Sequence, residues 1–123
     1  LEIYKKVQEI NKLISDHEEN IANNLLDFIN EKNKINLIGK NRIINKNRAP
    51  TISFTIEGFT SKKVSDLLIE SGIAIKNDNF YAWRCLEALG IDTEDGVVRA
   101  SMVHYNNKKD VEKLINALKK IID

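Results

Sequence analysis

The chain has 123 residues, enough for one modest domain that buries roughly two-thirds of its unfolded surface without a metal or disulfide staple. Its 19 basic and 18 acidic residues leave a net charge of +1, so any nucleic-acid footprint would have to be local. A single cysteine excludes an intramolecular disulfide, and no apolar run approaches the roughly 18–20 residues of a membrane span, a combination expected of a cytoplasmic protein.

The opening "LEIYKKVQEI" has neither an initiator methionine nor the pattern of a signal peptide, and it enters helical periodicity at once. Such a start is expected of a chain cut from something larger, and equally of one left by tag removal or processing. Ile3, Val7, Ile10, Ile14, Ile21, Leu25 and Phe28 recur at helical intervals with no Gly or Pro between them. One helix is predicted there, with a break expected, if anywhere, near Ser15. A helix of about 30 residues spans roughly 45 Å, against a radius of gyration of ~13 Å for a compact domain of about 100 residues. Its first half should therefore overhang, leaving Ile3, Val7 and Ile10 in need of a partner surface. His17 lies beside the apolar stripe without the second histidine that a helical metal site requires, so a packed or capping role is expected.

"INLIGK" is a short strand candidate, followed by a polar loop from Asn41 to Ala49. The basic stretch "KNRIINKNR", residues 40–48, lacks the aromatic platform expected of a single-strand binder and reads as a solvated loop. In "TISFTIEG", Ile52, Phe54 and Ile56 alternate with Thr51, Ser53 and Thr55, which predicts a strand with one buried face. Thr60 or Ser61 then caps a helix carrying Val64, Leu67 and Leu68 and ending at Gly72. "IAIK" is predicted as a short buried strand, "KNDN" as a turn, and "FYAWRCLEALG" as a helix ending at Gly90. Within that helix Cys85, between Trp83 and Leu86 in the sequence pattern, is expected to be a small apolar core residue.

The last unit is "VVRASMVHYNNKKDVEKL". Along its strand Val98, Ala100 and Met102 point one way, while Arg99, Ser101 and Val103 point the other. His104 follows Met102 on the apolar face near the strand's end, where a structural role is expected rather than a chemical one. Asn106 or Asn107 caps the final helix, with Val111, Leu114, Ile115, Leu118 and Ile122 on its apolar face. The order predicts an α+β fold: a two-layer sandwich with a three- to four-stranded, mostly antiparallel sheet, helices on one face and a long N-terminal helix before it. Arg99 then sits on the other sheet face. By spacing alone it is either a solvated surface residue or, since arginine presents a planar fork of donors, a grip for a carboxylate or phosphate.

The stretch from "APTISFTIEGFTSKKVSDLLIESGIAIKNDNFYAWRCLEALG" through "GVVRASMVHYNNKKDVEKLINALKKI" resembles the C-terminal part of class V aminotransferases, particularly the cysteine desulfurase-like branch. The ordered motifs are the "SFT" strand, the "GIA" strand with its turn, and "RAS" with "YN" before the last helix. The resemblance implies an enzyme of fold type I, dependent on pyridoxal phosphate and usually dimeric, acting on an amino acid. Residues 1–32 would be a helix leading to a large domain, and residues 33–123 the small C-terminal domain. By position Arg99 matches the arginine that binds the substrate carboxylate in that family, with Lys76, Tyr81 and His104 as weaker candidates for lining the site.

Two departures from the family pattern stand out. Where desulfurases carry a basic residue and then the sulfur-accepting cysteine, this chain has Lys76 and Tyr81, and Cys85 lies a helical turn too late. Tyrosine cannot accept sulfane sulfur. The Schiff-base lysine, the acidic partner of the pyridine nitrogen and the phosphate loop also belong to the family's large domain. Pyridoxal phosphate is therefore expected in the complete protein and not in this piece alone, which should be inactive. No metal, nucleic-acid or membrane partner is expected. The rival expectation is a free-standing α+β interaction or regulatory module.

Overall fold

In the computed structural model, which describes residues 1–123, the first helix, α1 (Glu2–Asn30), runs through Ser15 without a break. The Ser15 hydroxyl donates to the carbonyls of Asn11 and Lys12, at 2.8 and 3.1 Å, so the helix absorbs the one residue that threatened it. All six buried residues of α1 lie between Ile21 and Ile29. Ahead of them Ile3, Val7 and Ile10 are exposed, Ile3 to 79%.

After α1 come β1 (Ile35–Ile38), β2 (Thr51–Ile56), α2 (Ser61–Glu70), β3 (Lys76–Asp78), α3 (Trp83–Ala88), β4 (Val97–Ser101) and α4 (Lys108–Ile122). The four strands form one sheet in the order β1-β2-β4-β3, with every neighbouring pair antiparallel. The alternation seen in β2 places Ile52, Phe54 and Ile56 in the core and leaves Thr51, Ser53 and Thr55 half-buried on the far face. Val98 and Ala100 of β4 point inward beside them. Together with Ile35 of β1, Ile43 of the following loop, Met102 and apolar residues of α1, α2 and α4 they form one core cluster of 21 residues. The helices that supply it lie on one side of the sheet, as the patterning predicts.

Local capping follows from single residues. The Thr60 hydroxyl accepts from the Lys63 amide, and Ser61, which is buried, donates its own amide to both oxygens of Asp95. Asn107 caps α4 in a reciprocal box: its side chain accepts from the Asp110 amide at 3.1 Å, and the Asp110 carboxylate accepts from the Asn107 amide at 3.0 Å.

Two predicted elements differ from what forms. The third strand is not "IAIK": Ile73 and Ile75 pack half-buried against the core, and the ladder begins only at Lys76, where β3 meets β4. The residues predicted as a turn, "KNDN", are therefore mostly strand. The third helix starts at Trp83 rather than Phe80, because Phe80 and Tyr81 both adopt left-handed backbone, with φ of 51° and 60°. The Asn79 side chain accepts from the Tyr81 amide at 3.0 Å and so competes with helix formation at that point. The shortened helix buries only Leu86, and Cys85 is exposed, contrary to its expected place in the core.

Gly96 fixes how closely the turn before β4 approaches β3. Its φ is 69°, and a Cβ there would fall on the Asp78 carbonyl and the Asn79 amide. Gly96→Ala is expected to destabilise the fold by at least about 2 kcal/mol, since left-handed strain and a backbone clash add. The check is a lower denaturant midpoint at unchanged m-value.

Candidate functional site

Arg99 is the third residue of β4 and takes the sheet face turned away from the core, since Val98 and Ala100 on either side are buried in the cluster. Being in a central strand paired on both sides, it is held by ladder hydrogen bonds rather than by a loop. Its cross-strand partners are Ser53 of β2 and Lys76 of β3. Directly opposed residues project to the same face with Cβ atoms about 4.5–5.5 Å apart. Two cations and a hydroxyl are thus gathered in one row.

The Arg99 guanidinium has no acidic partner: the five ion pairs of the chain all join other residues. Lys76 is exposed and likewise absent from those pairs. Like charges directly opposite each other repel, so the row is favourable to an anion and poorly satisfied without one. An open hollow of about 590 Å³ adjoins the pair at the β3 edge, bounded by Lys76, Arg99 and Ser101 on one side and by Ile69, Ile73 and Ile75 on another.

What covers Arg99 is an aromatic ring. Its guanidinium carbon lies 3.7 Å from the centre of the Phe80 ring, close enough for a cation–π contact. The segment carrying Phe80 is anchored at several points. Asn79 accepts from Tyr81 as described, and its amide nitrogen donates to the Thr93 carbonyl at 3.2 Å. The Ala82 amide donates to the Asn79 carbonyl at 2.9 Å. By composition Phe80 belongs to the first turn of the helix predicted over "FYAWRCLEALG", and nothing in that pattern marks it as a neighbour of Arg99. The available signal was the run of Asn and Asp before it, residues that tolerate left-handed backbone.

The other candidates disperse. Tyr81 is 95% exposed and makes no packing contact that would hold its ring. His104 lies beyond the end of β4 and is exposed rather than on the apolar face, its ring edge-on to Tyr105 at 5.5 Å. His17 is half-buried, and its Nε2 lies 2.6 Å from the Asn106 carbonyl, tying α1 to the residue that precedes the α4 cap. No group of three or more His, Cys, Asp or Glu side chains gathers in a way that would hold a metal ion.

Both arginines of the basic stretch 40–48 are engaged by other groups of the chain, Arg42 at the surface and Arg48 half-buried. Arg42 pairs with Asp27 at 2.5 Å, and Arg48 donates to the carbonyls of Lys40 and Thr51, the latter at 2.8 Å. Burial pulls the Arg48 pKa below its usual value. Ile43 of the same loop is buried in the core, with its amide and carbonyl both bonded to the Asn23 side chain. No helix is long and apolar enough to cross a membrane.

The chain is similar to several known proteins. The family model described as "Aminotransferase class-V" matches residues 3–114. An aminotransferase-like protein, FGM3 of Gibberella zeae, is 32% identical over 110 residues, which cover 89% of this chain and 27% of the relative. A probable cysteine desulfurase of Pseudomonas putida is 28% identical and is covered to 24% of its length, with 85% of this chain aligned. Among solved structures, the cysteine desulfurase CsdA of Escherichia coli superposes with a TM-score of 0.72 at 26% identity, over 85% of this chain and 24% of that one. The apo cysteine desulfurase of Thermococcus onnurineus gives a TM-score of 0.78 at 24% identity, over 89% and 26% of the two chains, and shares the fold. The chain thus spans about a quarter of the length of these relatives. With its residues 3–114, most of its length, matched by that family model, the chain belongs to the class V aminotransferase family.

Proposed function

We propose that this chain is the small C-terminal domain of a longer pyridoxal-phosphate enzyme acting on an amino acid, in which Arg99 grips the substrate's carboxylate. The observation that carries this reading is the placement of Arg99: a guanidinium on a rigid central strand, on the face turned away from the main core, beside a hollow and without an acid to neutralise it. A bidentate grip at the unreacting end of an amino acid fixes the orientation of the bonds at Cα. That is the task a positioning residue performs when the cofactor supplies the electron sink for carbanion chemistry.

The cofactor does not fit among this chain's own residues. A lysine that forms a Schiff base is activated by desolvation or by a neighbouring cation, and here Lys32 alone is even half-buried while all other lysines are exposed. Lys32 lies over the Phe28 ring at the end of α1, away from the Arg99 row. The carbonyl chemistry would come from another part of the longer polypeptide. The exposed Ile3, Val7 and Ile10 of α1 are the surface on which that part would rest. The family's usual dimer would be assembled by that protein.

Tyr81 stands where a desulfurase would present its cysteine, and Cys85 lies on α3, exposed but with no base or cation bonded to it. Sulfur transfer through this loop is therefore not part of the proposal. The test is to incubate the complete protein, carrying pyridoxal phosphate, with each L-amino acid and follow consumption. Turnover of at least one is expected, and failure to bind or consume any of them would overturn the reading.

A further inference from the structure

We infer that Phe80 is a positioning residue for the carboxylate grip: its ring holds the Arg99 guanidinium in the orientation that an incoming carboxylate meets. Resting on the function proposed above, the inference adds a residue whose side chain acts only through Arg99.

The geometry supports this in three steps. An arginine side chain has four rotatable bonds before its fork, and binding a ligand normally orders them at the ligand's expense. With the guanidinium carbon 3.7 Å from the ring centre, one face of the fork is already covered while its edge donors are left for a ligand. None of the chain's ion pairs takes those donors, and the contact made by the guanidinium is with the ring.

The ring is itself held in a costly conformation. Phe80 and Tyr81 are consecutive non-glycine residues with positive φ, which the chain maintains through the Asn79 side chain and its bond to the Thr93 carbonyl. A glycine or asparagine at position 80 would relieve that strain. The backbone is instead fastened so that an aromatic side chain, and not the one after it, turns back over the sheet. Tyr81 points to solvent.

The experiment is a double-mutant cycle in the complete protein, with L-alanine and L-cysteine as probes, reading equilibrium binding and, where turnover occurs, KM and kcat separately. Phe80→Leu and Phe80→Asn are each expected to weaken probe binding by roughly three- to tenfold, chiefly through KM, whereas Phe80→Tyr retains the wild-type value. Phe80→Asn suits the left-handed backbone, so its loss of affinity at undiminished thermal stability separates positioning from folding. In the Arg99→Ala background the Phe80 substitutions are expected to have no further effect.

The failures are distinguishable. Unchanged binding in Arg99→Ala, or no binding of either probe by the wild type, brings down the carboxylate grip and this inference with it. An effect of Arg99→Ala without any effect of Phe80→Leu and Phe80→Asn removes the inference and leaves the grip standing. So does a Phe80 effect that persists undiminished when Arg99 is already alanine.

Discussion

Replacing Arg99 by alanine in the complete protein is expected to raise KM for the amino-acid substrate by roughly 10- to 100-fold, with a much smaller change in kcat. A charge-assisted hydrogen-bonded pair contributes about 1.5–3 kcal/mol, and each 1.36 kcal/mol is a factor of ten. In the proposed role the grip would act at the unreacting end, equally in the bound substrate and the transition state, so KM should carry the effect. Arg99→Lys keeps a point charge but loses the planar fork and the stacking surface, and should recover only part of the affinity. Lys76→Ala should cost less, since Lys76 is exposed and its charge is screened by solvent. A KM for Arg99→Ala equal to that of the wild type would remove the carboxylate grip from the site.

The largest effect on stability is expected from Phe54→Ala, at about 3–5 kcal/mol. Phe54 is fully buried at the middle of β2, opposite Leu37 on one side and Val98 on the other. Truncation would remove the transfer free energy of the ring and leave a cavity between sheet and helices, which strands paired on both sides cannot collapse to fill. Against a total stability of roughly 5–15 kcal/mol for a domain this is a large fraction. Calorimetry should show the midpoint fall by about 10–20 °C. A shift of only a degree or two would mean that the ring does not sit at the centre of the core.

Residues whose role follows from period are legible in the amino-acid order. The strand containing Phe54, the long first helix and the capped last helix each form where alternation or the 3.6-residue repeat places them. Arg99 falls on the face opposite the main core for the same reason: Val98 and Ala100, its two flanking residues, are buried there and oblige it to point the other way. Short elements were less legible. Ile73 and Ile75 have the composition of a strand, but a strand needs a partner ladder, and β4 offers one only from Lys76 onward. The segment from Phe80 to Leu89 has helical composition, and a side-chain bond from Asn79 delays the helix to Trp83. Cys85 then loses the buried face it was expected to occupy, because a helix of six residues covers so little.

By itself the amino-acid order determined which residues are inward and outward along each long element, and hence the α+β architecture and the outward turn of Arg99. Those properties depend on spacing within a few residues, which the chain carries locally. Only the tertiary structure decided what stands next to Arg99. Lys76 comes beside it through strand register, and Phe80 through a left-handed turn held by Asn79 and by the close approach that Gly96 permits. Such neighbours are set by packing between segments distant in sequence, where no local period reports which side chain will meet which.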